Sequence, residues 1–590
     1  MSFHPNEVQR RGRVAGLVIA GALLLLAAAF FRTQVIDHAR YALRSEENRL
    51  EQVPLPAPRG VILDRHNRVI ADNIPGYSVS LLARGEDSLR AQLRRLARII
   101  ELSDGDIEGV LRRYRRERGR PAVVFSDASF EQVSILEEHR TSFPSLIIQA
   151  APKRHYPNGP AVSALVGYTG EIGENELASS RYQEQGYRPG HQIGKIGLER
   201  QYEARLRGKE GSRFVEVDAL GRVVREMGAR PDLQAVAGPT LRTGLDLDLQ
   251  LFVAQIMDTL QGGVVAMDPR SGAVLALHSA PAYDPNRFIG RIPASYWREL
   301  MSDPRRPMYN KALQGWYPPA STFKLVTAAL AMEAGVVRLE DYQPAPCTGG
   351  YLFGTRYFRC WERQGHGSLT LAQAIAKSCD VYFYQLGLKL GLERFIEGGV
   401  ALKLRELTGI DLPDEKRPEW PYDAAEYYDR KYGPRNWTQA VTLNLSIGQG
   451  ENAQTVLSMA RLYTALASDG YLVDPWIVPA DSVRRERVFH LTSEQFAGLR
   501  RALVDVVSTR GTAASAAIEG VQVAGKTGTA QNAGPDHAWF VGFAPVEEPA
   551  IVVAVMIEHG LHGYSAARIA TKVIERYLKR PAIEPTNTRG

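Results

Sequence analysis

The chain has 590 residues, 44% hydrophobic and 23% charged. That is an ordinary globular composition with room for two or more domains, and it excludes a low-complexity or disordered polypeptide. The net charge of +7 does not point to nucleic acid, because the first segment of the chain marks the rest for export.

Residues 14–31 form an uninterrupted apolar stretch preceded by Arg10, Arg11 and Arg13. At ~1.5 Å per residue a helix over it spans roughly 27 Å, enough for a bilayer core. The positive residues in front of it favour a cytoplasmic N-terminus, with everything after Arg32 outside. A cleaved signal peptide is the competing reading, with residues 17–26 as its apolar region and Ala27, Ala28 and Ala29 as a cleavage site. No second apolar run of such length follows.

Leu89, Leu93, Leu96 and Ile100, then Ile107, Leu111 and Tyr114, recur at helical spacing. They predict two amphipathic helices whose arginine-rich stretches, 90–98 and 112–118, are solvated faces; anionic lipid or an acidic wall polymer is the alternative use. Residues 50 to about 235 mix short strands, helices and Gly/Pro-rich loops. A short strand is expected at 240–243, a helix near 247–260, and a hairpin formed by 264–267 and 273–277 around Asp268-Pro-Arg-Ser-Gly272.

Next comes the most informative pair. Ser321 is the only serine with a lysine three residues downstream, Lys324. Pro318 and Pro319 stop anything before it, helix formers follow, and Gly335 ends the run, which predicts a helix with Ser321 in its first turn. Positions i and i+3 share a face, which puts the Lys324 amine within hydrogen-bond reach of the Ser321 hydroxyl. No acid lies between Tyr317 and Met332, so desolvation is expected to favour a neutral amine able to take the serine proton. The helix N-terminus aims N–H groups at a developing oxyanion. The plain alternative is a helix-capping serine and an exposed lysine.

Two further constellations follow in order: Ser378-Cys379-Asp380 and Lys526-Thr527-Gly528-Thr529. With Ser-x-x-Lys they reproduce the motif order of penicillin-binding proteins and serine β-lactamases. Strand-like runs at 521–529, 538–544 and 550–557 can join the earlier hairpin in one five-stranded antiparallel sheet. Gly525 and Gly528 let another backbone come close, while Lys526 and the threonine hydroxyls suit a carboxylate. Taken plainly, Lys526 is a strand-surface lysine, and Ser378 and Asp380 cap a helix.

On these motifs the chain resembles the class B penicillin-binding proteins. Arg59-Gly60-Val-Ile-Leu-Asp64-Arg65, Gly194-Lys-Ile-Gly197-Leu-Glu199, Ser446-Ile-Gly-Gln-Gly450 and Trp539-Phe-Val-Gly-Phe-Ala-Pro545 match further landmarks of the class. Ser-Cys-Asp380, with Gly365-His366-Gly367 before it, is most similar to the elongation-type, rod-shape branch. The resemblance implies an α+β chain: cytoplasmic tail 1–13, transmembrane anchor 14–31, mixed pedestal (dimerisation-like) domain 32–237, transpeptidase domain 238–580 and disordered tail 581–590. It implies a single-pass protein of the bacterial inner membrane with a periplasmic catalytic domain, and favours the retained anchor.

The implied activity is that of a D,D-transpeptidase or carboxypeptidase. Ser321 attacks the D-Ala-D-Ala donor stem peptide, Lys324 is the base, and Ser378 relays the proton. Lys526, Thr527, Gly528 and Thr529 bind the carboxylate, and the backbone N–H groups of Ser321 and Thr529 form the oxyanion hole. Asp380 stands where other members have Asn, and an anion there opposes a neutral Lys324. An acceptor amine completes the cross-link, and β-lactams are inhibitors. No glycosyltransferase signature accompanies these motifs, so glycan polymerisation falls to a multi-pass partner of the rod system. A septal transpeptidase, a β-lactamase and a lactam sensor are the alternatives.

All three cysteines, Cys347, Cys360 and Cys379, fall within 33 residues, with His366 among them. Three thiols and an imidazole are a ligand set for tetrahedral zinc; a Cys347–Cys360 disulfide with Cys379 free is the alternative in an oxidising compartment. Rod-type relatives imply a metal here, which makes structural zinc the expected cofactor, with no organic cofactor.

Overall fold

The computed structural model describes residues 5–38, 50–118, 120–218, 223–225, 231–290, 292–508 and 511–579. Residues 1–4 and the expected tail at 581–590 lie outside them. A helix covers Pro5–Phe31, longer at its start than the expected anchor, and a π-turn Arg32–Ile36 extends it. Among the described residues this is the one helix long and apolar enough to cross a membrane, with mean hydropathy 2.6 over its most apolar 18-residue window.

Beyond it the chain is α+β. The pedestal is organised by the 13-residue strand Val69–Leu81, which pairs antiparallel with Leu146–His155 and with Ala122–Ala128. The two amphipathic helices form at Glu86–Leu96 and Asp104–Arg116. They bury Leu89, Leu93, Leu96, Ile107, Leu111 and Tyr114 against this sheet. Arg90 bridges Glu86 and Glu108, and Arg115 also pairs with Glu86. Arg112 and Arg116 pair with Glu174 and Arg113 with Glu171, outside the two helices.

Arg59 and Glu199 build a buried network at the centre of the pedestal. Glu199 accepts from Arg59 Nη2 at 2.7 Å, from Arg154 Nε at 2.6 Å and from the Tyr156 hydroxyl at 3.2 Å. Arg59 Nη2 also reaches Glu203 at 2.8 Å. The pedestal joins the next unit through the parallel pair Ile62–Leu63 with Leu241–Arg242, and Asp64 accepts from the Leu247 N–H at 3.1 Å.

The second unit is built on the expected five-stranded antiparallel sheet. Its spatial order is Val274–Ala280, Gly262–Met267, Ile551–Ile557, His537–Ala544, Ala524–Ala530. The three central strands are buried along their length except at His537, as continuous apolar runs covered on both faces require. The helices Lys324–Glu333, Asp380–Leu390, Val456–Ala467 and Gly563–Leu578 share its core. Ala524–Ala530 is an edge strand, with backbone groups available on its outer side. The run at 521–523 is not strand; Val521 only bridges Ile518.

Candidate active site

The expected helix at Ser321 is modified in a way the sequence does not announce. Ala320–Phe323 is a 3-10 turn, and the α-helix begins only at Lys324 and runs to Glu333. The cause is Ala320, held at φ +51°, a left-handed conformation that costs an alanine about 1–2 kcal/mol. Its N–H donates to the Gly448 carbonyl at 2.8 Å. Gly448 itself has φ +74°, and a Cβ there would lie 2.2 Å from the Ala320 oxygen. Phe323, fully buried, packs its ring 5.3 Å from Trp420 and 6.2 Å from Phe395. Such burial contributes about 1.5–3 kcal/mol, enough to offset the strain. Tyr463 donates its hydroxyl to the Thr322 carbonyl at 2.8 Å. The Ser321 turn is thus fixed by the Ser446–Gly450 landmark and by the core.

Lys324 is fully buried. Its Nζ donates to Asp380 Oδ1 at 2.7 Å, to the Ser378 carbonyl at 2.8 Å and to Ser378 Oγ at 3.2 Å. This corrects two expectations. The carboxylate absent from the sequence neighbourhood arrives from 56 positions away, and all three N–H groups of an ammonium are engaged without Ser321. The expected Ser321–Lys324 hydrogen bond is not formed, because the amine turns toward the anion. Asp380 opens the helix Asp380–Leu390 and is buried; burial pushes its carboxyl above the usual range and Lys324 pulls it back. Ser378 sits at φ +53°, a second left-handed residue beside the chemistry.

The edge strand completes the site. A Cβ on Gly528 would lie 3.0 Å from the Pro319 carbonyl oxygen and 3.2 Å from Thr322 Cγ2, so this strand packs directly on the Ser321 turn. That contact sets the strand bearing Thr529 against the turn bearing Ser321. Lys526 is fully buried, with one protein acceptor, the Thr527 carbonyl at 3.1 Å. Burial, reinforced by the positive charge of Lys324, holds its amine well below the usual lysine range. The Thr527 hydroxyl is shared with Thr512 at 2.7 Å, and Thr529 Oγ1 accepts from the Gly563 N–H at 3.4 Å.

Cys347, Cys360, His366 and Cys379 converge, with their ligand atoms all within 4.8 Å of one another. His366 Nδ1 lies 3.5 Å from Cys360 Sγ and 3.7 Å from Cys347 Sγ. Zinc with bonds of ~2.0–2.3 Å holds tetrahedral ligands roughly 3.5–3.8 Å apart, so the donor set and its spacing fit that ion. The three thiols are free. Hydrogen bonding from Cys379, opposed by burial and assisted by His366, pulls Cys360 far below the usual thiol range and leaves Cys379 above it. A thiolate is the ligand form.

Sequence reasoning missed the part played by Gly448, which was visible only as a landmark glycine, and that of Trp361, which carried no signal at all. Trp361 donates its backbone N–H to Asp380 Oδ2 at 2.9 Å.

Known proteins can be set against this geometry. Residues 262–578 match the penicillin binding protein transpeptidase domain, and residues 54–243 match the penicillin-binding protein dimerisation domain. The peptidoglycan D,D-transpeptidase MrdA of Acinetobacter baumannii is 32% identical, over 98% of this chain and 89% of its own. The penicillin-binding protein PBP2 of Helicobacter pylori, solved in complex with MreC, superposes with a TM-score of 0.77 at 26% identity, over 90% of this chain and 99% of that one. A chain of a peptidoglycan synthase complex, solved in a study of coordinated polymerisation and crosslinking, has a TM-score of 0.68 at 29% identity, over 97% and 99% of the two chains.

Proposed function

This chain belongs to the penicillin-binding proteins, as a dimerisation domain followed by a transpeptidase domain, and from that premise we propose that it cross-links peptidoglycan through an acyl-enzyme on Ser321. It is a peptidoglycan D,D-transpeptidase of the elongation type. The observation that carries the serine reading is Lys324, a fully buried amine one turn from Ser321 and hydrogen-bonded to the Ser378 hydroxyl.

Lys526, with the hydroxyls of Thr527 and Thr529, takes the terminal carboxylate of the donor stem peptide. Ser321 Oγ then bonds the carbonyl carbon of the penultimate D-Ala while the amide C–N bond breaks. The backbone N–H groups of Ser321 and Thr529 stabilise the oxyanion. The Ser321 proton passes to Lys324 and onward through Ser378 to the leaving D-Ala amine. For Lys324 to act as base, one of its three engaged N–H groups must first yield its hydrogen. An acceptor amine attacks the ester and restores the serine, and water in its place gives carboxypeptidase activity. A β-lactam acylates the same oxygen.

A buried lysine with a depressed pKa makes carboxylate binding pH-sensitive. Only the ammonium holds the anion, so pre-covalent affinity for a penicillin falls as pH rises, and does so at lower pH than for an ordinary lysine. Lys526→Arg, whose guanidinium stays charged, is expected to flatten this profile, read from the concentration dependence of acylation at each pH.

Cys347, Cys360, His366 and Cys379 hold a structural zinc in this reading. When bound it supplies no reaction chemistry and cross-links the hairpin around residue 360 to the turn bearing Ser378 and Asp380. Metal analysis should find about one zinc per chain, and less in Cys360→Ser; a metal-free protein with a 347–360 disulfide in its peptide map removes the site.

The N-terminal helix anchors the protein in the inner membrane, with its basic start cytoplasmic and its catalytic unit periplasmic. A multi-pass glycan polymerase of the rod system is its partner by family analogy, and MreC, with which the related Helicobacter pylori protein is solved, supports a second partner of that kind. The serine reading is tested by mapping the adduct of a fluorescent penicillin. Mass spectrometry should place it on the peptide holding Ser321, with slow release. An adduct elsewhere sinks the assignment, and fast release makes the protein a lactamase.

A further inference from the structure

Trp361 belongs to none of the motifs, yet it reaches both ends of the Ser378–Asp380 turn. Its backbone N–H donates to Asp380 Oδ2 at 2.9 Å, while the other carboxylate oxygen holds Lys324 at 2.7 Å. Its indole Nε1 donates to the Ser378 carbonyl at 3.1 Å and to the Lys377 carbonyl at 3.2 Å. The Ser378 carbonyl is also an acceptor for Lys324. One residue therefore tethers two of the three groups that hold the amine.

Two observations make this more than packing. Ser378 has φ +53°, a conformation a serine keeps only when its surroundings impose it. The indole N–H on its carbonyl is such a constraint. Trp361 is nonetheless 54% exposed as a residue, with its ring set edge-on to His366 at 5.2 Å. A large apolar ring pinned by its polar edge, with its face in water, is built to receive something. Its location beside Ser378 identifies that as the substrate of the proposed acyl transfer.

We propose that Trp361 is a positioning residue: its indole N–H holds the Ser378 turn so that the Ser378 hydroxyl stays on Lys324, and its exposed ring walls the substrate groove at that turn. The proposal rests on the serine mechanism above.

Stopped-flow acylation of the full-length protein by a fluorescent penicillin separates the limiting acylation rate from the pre-covalent dissociation constant. Trp361→Phe keeps the ring and the backbone N–H and loses only the indole donor. Its limiting rate should fall on the order of 3- to 10-fold, the worth of one hydrogen bond, with the dissociation constant, zinc content and melting temperature unchanged. Trp361→Ala removes the wall as well and should also raise the dissociation constant. A parental rate in Trp361→Phe overturns the proposal, and so does a rate loss accompanied by lost metal or a lowered melting temperature. A parent that is not labelled on Ser321 sinks the serine mechanism and this proposal together; a labelled parent with an unaffected Phe variant sinks this proposal alone.

Discussion

Ser321→Ala is expected to abolish covalent labelling by a fluorescent penicillin, a loss on the order of 10⁶-fold, the size seen when a serine nucleophile acting with its base is removed. The fold should not notice. Ser321 is only partly buried and is not among the acceptors of Lys324, so its removal strands no buried donor. The melting temperature should therefore match the parent while the labelled band disappears from the gel. Substituting Lys324 is a poorer test, because it leaves Asp380 buried and unpaired and mixes lost chemistry with lost stability. A band that survives in Ser321→Ala at parental intensity would end the acyl-enzyme account.

Glu199→Ala carries the largest expected effect on stability. The side chain is fully buried, and its loss leaves two arginines, Arg59 and Arg154, without their shared counter-ion. Breaking a buried ion pair from one side costs about 3–5 kcal/mol. For a unit of about 190 residues each kcal/mol moves the melting temperature by about 2–4 °C, so a fall of roughly 6–20 °C in the pedestal transition is expected by calorimetry. The pH dependence has a definite sign. Burial alone pushes Glu199 up, but Arg154 and Arg59 outweigh it and hold the folded carboxyl below its usual range. Its contribution is therefore complete above the unfolded value of about 4.3 and is lost as pH falls through the lower folded value. The gap between parent and variant should be full at neutral pH and close toward strong acid. A variant that melts within a degree or two of the parent at pH 7 contradicts this role.

The parts legible in the sequence were those fixed by local pattern. The apolar run at 14–31, the period-3.6 leucines of the two basic helices and the five strand runs depend on neighbours a few residues apart, and each forms near where its spacing places it, with the edge strand starting at Ala524 and not at 521. The three motifs were legible as residue types. How they meet was not. Lys324 and Asp380 are 56 positions apart, and Arg59 and Glu199 are 140 apart. The arginine and glutamate could be read only as landmarks, because each looks like an ordinary surface charge until its partner is known.

The local reading went astray at Ala320 for a related reason. Alanine in a run of helix formers is the strongest helix signal there is, yet Ala320 adopts φ +51° because a glycine more than a hundred positions later takes its N–H and leaves room for its carbonyl. By itself, the sequence determined which segments are apolar, which fold as strand or helix, and which residue types are present to bond, hold a carboxylate or ligate a metal. Tertiary structure alone decided that the buried amine faces Asp380 and Ser378 and not the nearby hydroxyl, that Gly528 seats the edge strand on the Ser321 turn, and that Trp361 braces the second motif. The physical reason is that hydrogen bonds and charge pairs act over a few ångströms of space, whatever number of residues separates the groups along the chain.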